Sequence, residues 1–204
     1  LTTYQRDEAD LCDCAAPLAV ARPHSTVEVA ALVAVAARHG LPVVPQGART
    51  GLAGGANALR GALVISLARM DRILEIDPAN RTATVEAGVV NSALRRAAGS
   101  HGLAYPPDPG SWESSTIGGN VATNAGGMCC VKYGVTSEYV LGLTVVLADG
   151  EVLRCGRQTA KGVAGYDLAR LFVGSEGTLG VITEVTVRLR PQAEPGLTLV
   201  AEFP

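Results

Sequence analysis

The chain is organised around the stretch Ser114-Ser115-Thr116-Ile117-Gly118-Gly119-Asn120-Val121-Ala122-Thr123-Asn124-Ala125-Gly126-Gly127. Its two Gly-Gly pairs let the backbone approach a ligand closely and adopt dihedral angles that other residues adopt only at a cost. Ser115 and Thr116 are favourable N-cap residues, so the pattern predicts a short helix that runs through residues 120–125. We expect the first N–H groups of this helix to lack partners and, at the positive end of the helix dipole, to attract an anion such as phosphate.

Two further glycine-rich stretches flank this central motif (residues 114–127). The first glycine loop is Pro45-Gln46-Gly47-Ala48-Arg49-Thr50-Gly51-Leu52-Ala53-Gly54-Gly55, and the third glycine loop is Gly174-Ser175-Glu176-Gly177-Thr178-Leu179-Gly180. A single Gly-Gly pair is more often a tight turn packed against other backbone than a ligand site. Three glycine-rich stretches in one chain instead predict one extended ligand with a diphosphate near its middle.

The bulk composition limits the classes of function. The chain has 204 residues, enough for one domain or two small lobes with a buried core. Its formal net charge is -2, from 17 basic and 19 acidic residues, so electrostatics give no reason to expect a nucleic acid or a membrane surface as partner. The longest apolar run, residues 29–37, is far shorter than a bilayer span. Because the chain begins with Leu1 and ends inside a predicted strand, we interpret it as a piece of a longer polypeptide.

The five cysteines form no recognisable metal or disulfide pattern. Cys12 and Cys14 are too close in sequence for an ordinary disulfide, and Cys129 and Cys130 are adjacent. These spacings do not match zinc sites, and the three histidines form no H-x-x-x-H pattern. We therefore expect reduced thiols, a cytoplasmic location and no metal site.

The N-terminal part of the chain predicts a strand–helix–strand unit. Residues 18–21 read as a short strand, and Ser25-Thr26-Val27-Glu28 is a capping box that opens a helix ending near Gly40. Residues 41–45 form the next strand, which leads directly into the first glycine loop. A unit of this length predicts two paired parallel strands, with the loop at the carboxyl end of the second, where α/β sheets bind ligands.

The rest of the chain predicts a different architecture. A helix is expected within residues 88–102, an extended proline-rich loop at residues 106–110 and a short helix at residues 166–172. The predicted strands cover residues 63–67, 73–76, 82–86, 140–147, 151–155, 180–189 and 197–203, with the pair 140–147 and 151–155 joined as a hairpin. The fold class is therefore α+β: a small α/β lobe at residues 1–57, followed by a larger, mainly antiparallel lobe with helices at residues 58–204. The three glycine-rich stretches are expected to meet in the cleft between the lobes.

Four segments carry a resemblance to a known family. They are residues 45–51, residues 117–127, Lys132-Tyr133-Gly134 and Gly174-Ser175-Glu176-Gly177-Thr178-Leu179-Gly180-Val181-Ile182-Thr183. In this order they resemble the FAD-binding domain of the vanillyl-alcohol oxidase / para-cresol methylhydroxylase flavoproteins. Within that superfamily the chain is most similar to the D-2-hydroxyacid dehydrogenase branch, which includes the glycolate oxidase flavin subunit, D-lactate dehydrogenases and D-2-hydroxyglutarate dehydrogenase. The resemblance covers nearly the whole chain.

The resemblance implies a set of FAD-binding residues. Those of the first glycine loop, whose backbone N–H groups are expected to hold the diphosphate, are Pro45, Gln46, Gly47, Ala48, Arg49, Thr50 and Gly51. Those expected to wrap the diphosphate, ribityl and flavin parts are Gly110, Ser111, Ser115, Thr116, Ile117, Gly118, Gly119, Asn120, Thr123, Asn124 and Gly126. Those expected to enclose the adenine are Glu176, Gly177, Val181 and Ile182.

Some members of the superfamily bind flavin covalently through a His in the first loop or a Cys in the central motif. Residues 45–55 contain no His and residues 110–127 contain no Cys. The sequence therefore predicts FAD held non-covalently.

Several residues near these motifs leave alternatives open. Arg49 stands where many relatives have a small residue, and either contacts a phosphate or turns outward. Asp108 is either a flavin-side acceptor or, as we prefer, a turn residue between prolines. Cys129 and Cys130 are interpreted as small buried hydrophobes rather than redox groups.

Two functions are compatible with these motifs. The first is the FAD half of an oxidoreductase that oxidises a small 2-hydroxyacid, with the substrate residues in a domain absent from this chain and an electron acceptor that no motif identifies. The second is a cofactor-binding module or subunit without substrate chemistry of its own, because the chain has no histidine cluster of the kind that some branches use. An NAD-binding Rossmann fold is excluded because no strand runs into G-x-G-x-x-G, and a Walker A NTPase because no Gly-Lys-Ser/Thr occurs.

Overall fold

The computed structural model describes residues 1–159, 161–194 and 200–202, and within these ranges it confirms the α+β class. The helices are α1 (Thr26–Arg38), α2 (Asn91–Gly99), α3 (Ile117–Ala122), α4 (Cys130–Tyr133) and α5 (Leu168–Phe172). The strands are β1 (Ala19–Ala21), β2 (Val43–Gln46), β3 (Leu63–Ser66), β4 (Ile73–Asp77), β5 (Thr82–Glu86), β6 (Leu103–Ala104), β7 (Val140–Val146), β8 (Val152–Gly156), β9 (Val181–Arg188) and β10 (Arg190–Pro191). The strand predicted at residues 197–203 falls mainly on residues outside the described ranges.

The small lobe is a parallel sheet in the order β1-β3-β2. The predicted pairing of the first two strands is wrong, because β3 lies between them. All four residues of β3 are buried, as expected for the central strand of a parallel sheet covered on both faces. β1 is half-exposed and only three residues long, which suits an edge strand. The sheet therefore continues to Ser66, beyond the division that the sequence analysis places at residue 57.

Helix α1 begins as the capping box predicts and covers this sheet. Ser25 Oγ accepts a hydrogen bond from Glu28 N at 3.2 Å, and Gly40, just beyond the helix, has φ +61°. The Glu28 carboxylate accepts from His24 N at 2.7 Å, one residue earlier than in a standard capping box. The buried side of α1 packs Val29, Val33 and Ala36 against the parallel sheet.

The large lobe is a five-stranded sheet in the order β4-β5-β9-β7-β8, with every neighbouring pair antiparallel. The predicted hairpin of β7 and β8 is confirmed. One core cluster joins this sheet to α2, α3 and α5 through side chains such as Leu94, Ile117 and Phe172. A second core cluster packs α1 and the parallel sheet against residues at the ends of β7 and β9. The two sheets therefore share an apolar boundary.

Helix α3, which holds the first Gly-Gly pair of the central motif (Gly118-Gly119), packs closely against the end of β5. A Cβ on Gly118 would lie 2.5 Å from Ala87 Cβ and 2.9 Å from Ala87 O, so only glycine allows this approach. The helix begins after Thr116, one of the two predicted N-cap residues, and ends at Ala122, three residues before the end of the predicted range. Ser115, the other predicted cap residue, is buried and makes no cap bond. The central motif is thus held at the junction of the two sheets.

Candidate functional site

The three glycine-rich stretches meet at this junction, as the sequence analysis expects. Gly47 of the first glycine loop faces Thr116 of the central motif so closely that a Cβ on Gly47 would overlap Thr116 Oγ1. Gly177 of the third glycine loop faces Pro45, where an added Cβ would lie 2.6 Å from Pro45 Cγ. Gly55 is equally close to the Glu176 side chain. The absent side chains therefore allow the first glycine loop to approach both of the others.

The third glycine loop is fixed to the central motif by backbone hydrogen bonds. Gly174 N donates to Val121 O at 3.0 Å, and Glu176 N donates to Ala122 O at 2.9 Å. Both acceptors lie in the last turn of α3, whose terminal carbonyl groups have no partner inside the helix. These bonds make α3 and residues 174–176 one rigid unit.

The first glycine loop presents a row of backbone donors at the carboxyl end of β2. The N–H groups of Ala48, Arg49, Thr50 and Gly51 donate to no acceptor within the described residues. Arg49 has φ +60°, and a left-handed residue in a short loop is one way in which successive N–H groups come to face the same side. Such a row is suited to an anion with several oxygens, such as a diphosphate.

The N-terminus of α3 does not supply the anion site that the sequence analysis predicts. Ile117 N donates to Val89 O and Gly118 N donates to Ala87 O, both at 2.8 Å. Gly119 N donates to Thr116 Oγ1 at 3.2 Å. The prediction that these groups lack partners is wrong, because the end of β5 and the following turn supply acceptors for them. The row of free backbone donors lies instead in the first glycine loop.

Backbone strain is concentrated in the same three stretches. Among the described residues, the non-glycine residues with positive φ are Arg49, Arg81, Asn124 and Glu176. All except Arg81 lie in the site, one in each glycine-rich stretch. Such conformations cost about 1–3 kcal/mol each and persist where the surrounding structure enforces them, most often at functional sites.

Three buried polar atoms at the site have no hydrogen-bond partner within the described residues. They are Gln46 Oε1, Ser115 Oγ and Asn120 Nδ2. Gln46 Nε2, by contrast, donates to Tyr4 O at 2.9 Å and to Ala56 O at 2.7 Å. Because buried polar groups are almost always satisfied, these three atoms indicate that the site is completed by something other than the described protein atoms.

The Arg49 side chain packs against an aromatic ring, and whether it also contacts a phosphate stays a prediction. Its guanidinium lies 5.0 Å from the centroid of the Tyr4 ring, within cation–π range. Tyr4 belongs to an N-terminal segment that also positions Asp7. The buried Asp7 accepts from Ala9 N at 2.9 Å, and Glu8 N donates to Gly51 O at 3.0 Å. This contact between the N-terminal segment and the first glycine loop could not be predicted from the sequence, because an irregular segment carries no periodic pattern.

The residues after the central motif fold back onto the proline-rich loop. Asp108 Oδ1 accepts from Cys129 N at 3.0 Å, which ties the proline-rich loop to the residues after the central motif. The preferred role of Asp108 as a turn residue stays a prediction. A hydrogen bond to Asp108, together with burial and the charge of Asp108, raises the pKa of the Cys129 thiol. Cys130 Sγ accepts from Gly127 N at 2.9 Å. Both cysteines are only half-buried, so their interpretation as buried hydrophobes is wrong.

The remaining predicted site residues differ in how they face the junction. Thr123 is exposed, and its hydroxyl donates to Gly119 O at 3.1 Å. Gly110 and Ser111 lie in the turn before the motif, and Gly126 is exposed after it. The side chains that pack in the core are those of Ile117, Val181 and Ile182. No group of three or more His, Cys, Asp or Glu in the described ranges is arranged to hold a metal ion.

Comparison with known proteins gives a consistent result. The model of a family described as "FAD binding domain" matches residues 17–156. The chain is 51% identical over 187 residues to glycolate oxidase subunit GlcD of Bacillus subtilis, which covers 92% of the chain and 40% of that protein. It is 44% identical over 200 residues to D-lactate dehydrogenase of Anaerostipes hadrus, with 98% of the chain and 42% of that protein covered.

A solved structure shows the same fold. Alkyldihydroxyacetonephosphate synthase superposes with a TM-score of 0.76 at 29% identity, and the match covers 84% of this chain and 31% of that structure's chain.

The chain spans about two fifths of the length of the two curated relatives described above. None of the helices in the described residues is long and apolar enough to cross a membrane.

Proposed function

Since the chain belongs to the FAD-binding domain family, with FAD as its cofactor, we propose that it is the FAD-binding part of an oxidoreductase that oxidises a 2-hydroxyacid. The observation that carries this proposal is the row of free N–H groups at residues 48–51, held against the central motif by the contact between Gly47 and Thr116. The substrate class is that of the relatives whose names specify glycolate or D-lactate.

We assign the binding of the FAD diphosphate to the first glycine loop. Its backbone N–H groups donate hydrogen bonds without any side chain. Glycine at positions 47 and 51 therefore allows the loop backbone to approach the proposed diphosphate closely. A Cβ on Gly51 would lie 3.5 Å from Asp7 Oδ2, so the brace by the N-terminal segment sets how far this loop reaches. Arg49, stacked on Tyr4, adds a positive charge beside the loop.

We assign the binding of the ribityl chain and the flavin ring of FAD to the central motif. Asn120 Nδ2 and Ser115 Oγ are buried donors without described partners, and a flavin offers carbonyl oxygens, ring nitrogens and ribityl hydroxyls as acceptors. Glu176 and Gly177 are assigned the adenine end. The core positions of Val181 and Ile182 restrict these two residues to backbone contacts with the ligand.

FAD held by these residues would supply the acceptor for a hydride equivalent from the substrate carbon, which is chemistry that no protein side chain supplies. The residues of this chain bind and orient it, and exclude water from its diphosphate. A substrate carboxylate site and a base for the hydroxyl proton are assigned to the part of the relatives' length that this chain does not span. The second candidate is a cofactor-binding module without substrate chemistry. It is favoured by the same observation, that the chain spans only about two fifths of the length of these relatives.

We also propose a non-covalent flavin and a cytoplasmic location. Residues 45–55 contain no His and residues 110–127 contain no Cys, so the attachment residues of covalent relatives are missing from both motifs. All five cysteines are free thiols, as is usual in a reducing compartment.

Release of the flavin by acid tests the cofactor assignment. Precipitation of the yellow protein is expected to leave the flavin in the supernatant, where its mass identifies it as FAD. Flavin retained on the pellet contradicts non-covalent binding. FMN in the supernatant contradicts the assignment of a diphosphate to residues 48–51.

A further inference from the structure

A cavity of about 800 Å³ lies in the large lobe and is separate from the three glycine-rich stretches. Its wall is built by the turn at Asn80 and Arg81, by residues of α2 and α4, by β6 and by the segment 188–193. None of its lining residues belongs to the first glycine loop, the central motif or the third glycine loop. Its volume is within the range of small-molecule sites, roughly 300–1,000 Å³.

The wall of this cavity carries an excess of positive charge. No Asp or Glu is among its lining residues, whereas its cationic lining residues are Arg81, Arg95, Lys132, Arg188 and Arg190. The ion pairs among the described residues involve Arg6, Arg72 and Arg170 instead. Five cations that share one concave surface without carboxylates repel one another, and an anion bound between them relieves that repulsion.

Aromatic rings rather than acids hold these cations in place. Lys132 Nζ and the Arg190 guanidinium lie 5.1 and 5.6 Å from the centroid of the same ring, that of Tyr133. The Arg188 guanidinium lies 5.6 Å from the Tyr139 ring. Stacking on a ring face leaves the N–H edges of a guanidinium available for an anion. These side chains are therefore positioned while their donors remain free.

Arg188 is held by a backbone contact as well as by the Tyr139 ring. Its Nη2 donates to Glu138 O at 2.8 Å, whereas its Nε is buried and donates to no acceptor within the described residues.

We propose that this cavity binds a small organic anion with two carboxylate groups. The cations come from several elements: Arg81 from the turn before β5, Arg188 and Arg190 from β9 and β10, and Arg95 and Lys132 from α2 and α4. Five cations around one cavity offer a partner to each of the two charged groups of a dicarboxylate. The apolar lining residues Leu103, Tyr105 and Leu189 suit the carbon chain between them, which inorganic phosphate lacks. The site goes beyond the flavin-binding function and does not depend on it.

Calorimetric titration of the protein as purified tests this site with succinate, acetate and inorganic phosphate as probes. The test variant is Lys132→Gln/Arg190→Gln, which removes the two cations beside the Tyr133 ring. The matched control is Arg96→Gln/Arg154→Gln, which removes the same charge from exposed positions outside the cavity. Lys132→Gln alone, at an exposed side chain, is a second variant in case the double variant does not fold.

Succinate is expected to bind once per chain, with acetate and phosphate at least about tenfold weaker. The test variant is expected to weaken succinate binding by about tenfold or more, and the control by less than about twofold. Lys132→Gln alone is expected to change the affinity in the same direction as the double variant. Absence of succinate binding, phosphate binding of equal strength, or equal losses in test variant and control would each overturn the proposal.

Discussion

Gly47 and Thr116 are in contact across the junction of the two sheets, with no room for a β-carbon between them. Thr116 Oγ1 cannot easily move aside, because it accepts the hydrogen bond from Gly119 N that caps α3. The contact therefore couples the loop with free N–H groups to the helix of the central motif. A side chain at position 47 therefore has to displace either the first glycine loop or helix α3.

We expect Gly47→Val and Gly119→Val to abolish stoichiometric FAD binding. An added side chain at either position presses on the Thr116 hydroxyl, at 3.0 Å for a Cβ on Gly119, and separates the loop from the motif. Loss of two charge-assisted hydrogen bonds to the diphosphate corresponds to at least about a hundredfold weaker binding. Flavin absorbance per protein in purified samples, with far-UV circular dichroism as a fold check, measures the effect.

Gly99→Val is the control for these substitutions. Gly99 is the last residue of α2, and a Cβ there meets nothing within 4 Å. This variant is expected to retain its FAD. If Gly47→Val and Gly119→Val also retain one FAD per chain, the two glycines are only turn residues and the assignment of the site is wrong.

Replacing the cap of α1 is expected to affect stability but not the cofactor. Ser25→Ala removes the oxygen that accepts from Glu28 N, which costs about 1 kcal/mol in the free energy of unfolding. Chemical denaturation measures the change, and FAD titration of the same variant is expected to match the unmodified protein. A weaker FAD affinity would show that the first turn of α1 acts on the site.

These predictions differ in how far the sequence alone supports them. The cap of α1 is local, because Ser25 and Glu28 are three residues apart, and the pattern predicted it correctly. The position of β3 between β1 and β2 depends on pairing between distant segments, which is not evident in any local pattern. Burial of all of β3 is evident only once the neighbouring strands are in place.

The candidate site shows the same division. Its three glycine-rich stretches and their meeting place were predicted from composition and order. The acceptors for the N–H groups of α3 come from Ala87 and Val89, about 30 residues earlier in the chain. The stacking of Arg49 on Tyr4 likewise joins two segments without regular structure. Contacts of this kind require the assembled fold and were missed.

Removal of the Asp108 charge is expected to make Cys129 more reactive. The hydrogen bond and the charge of Asp108 raise the thiol pKa, so Asp108→Asn lowers that pKa and increases the thiolate fraction at a given pH. The pH dependence of iodoacetamide alkylation at Cys129, followed by peptide mass spectrometry, is expected to shift to lower pH. Cys155 serves as an internal reference, because burial is the main cause that raises its pKa. An unchanged profile at Cys129 would contradict the assigned contact.

The last prediction concerns substrate chemistry. The 204-residue chain by itself is expected to bind flavin but not to oxidise a 2-hydroxyacid at a useful rate. The polar groups that lack described partners at the site point to the cofactor, and no metal-binding group of His, Cys, Asp or Glu occurs in the described residues. Orientation of a substrate against the flavin lowers the barrier by several kcal/mol, and a positioned base adds about 10²–10⁴-fold. A chain without these groups loses both contributions.

Anaerobic reduction of the bound flavin distinguishes the possibilities. Dithionite or light is expected to bleach the visible flavin absorbance, because reduction by these routes requires no substrate site. D-Lactate, glycolate and D-2-hydroxyglutarate are each expected to leave the absorbance unchanged over the same period. Rapid bleaching by any of the three acids would show that this chain carries its own substrate site and base. The assignment of those groups to the length that the chain does not share with its relatives would then be wrong.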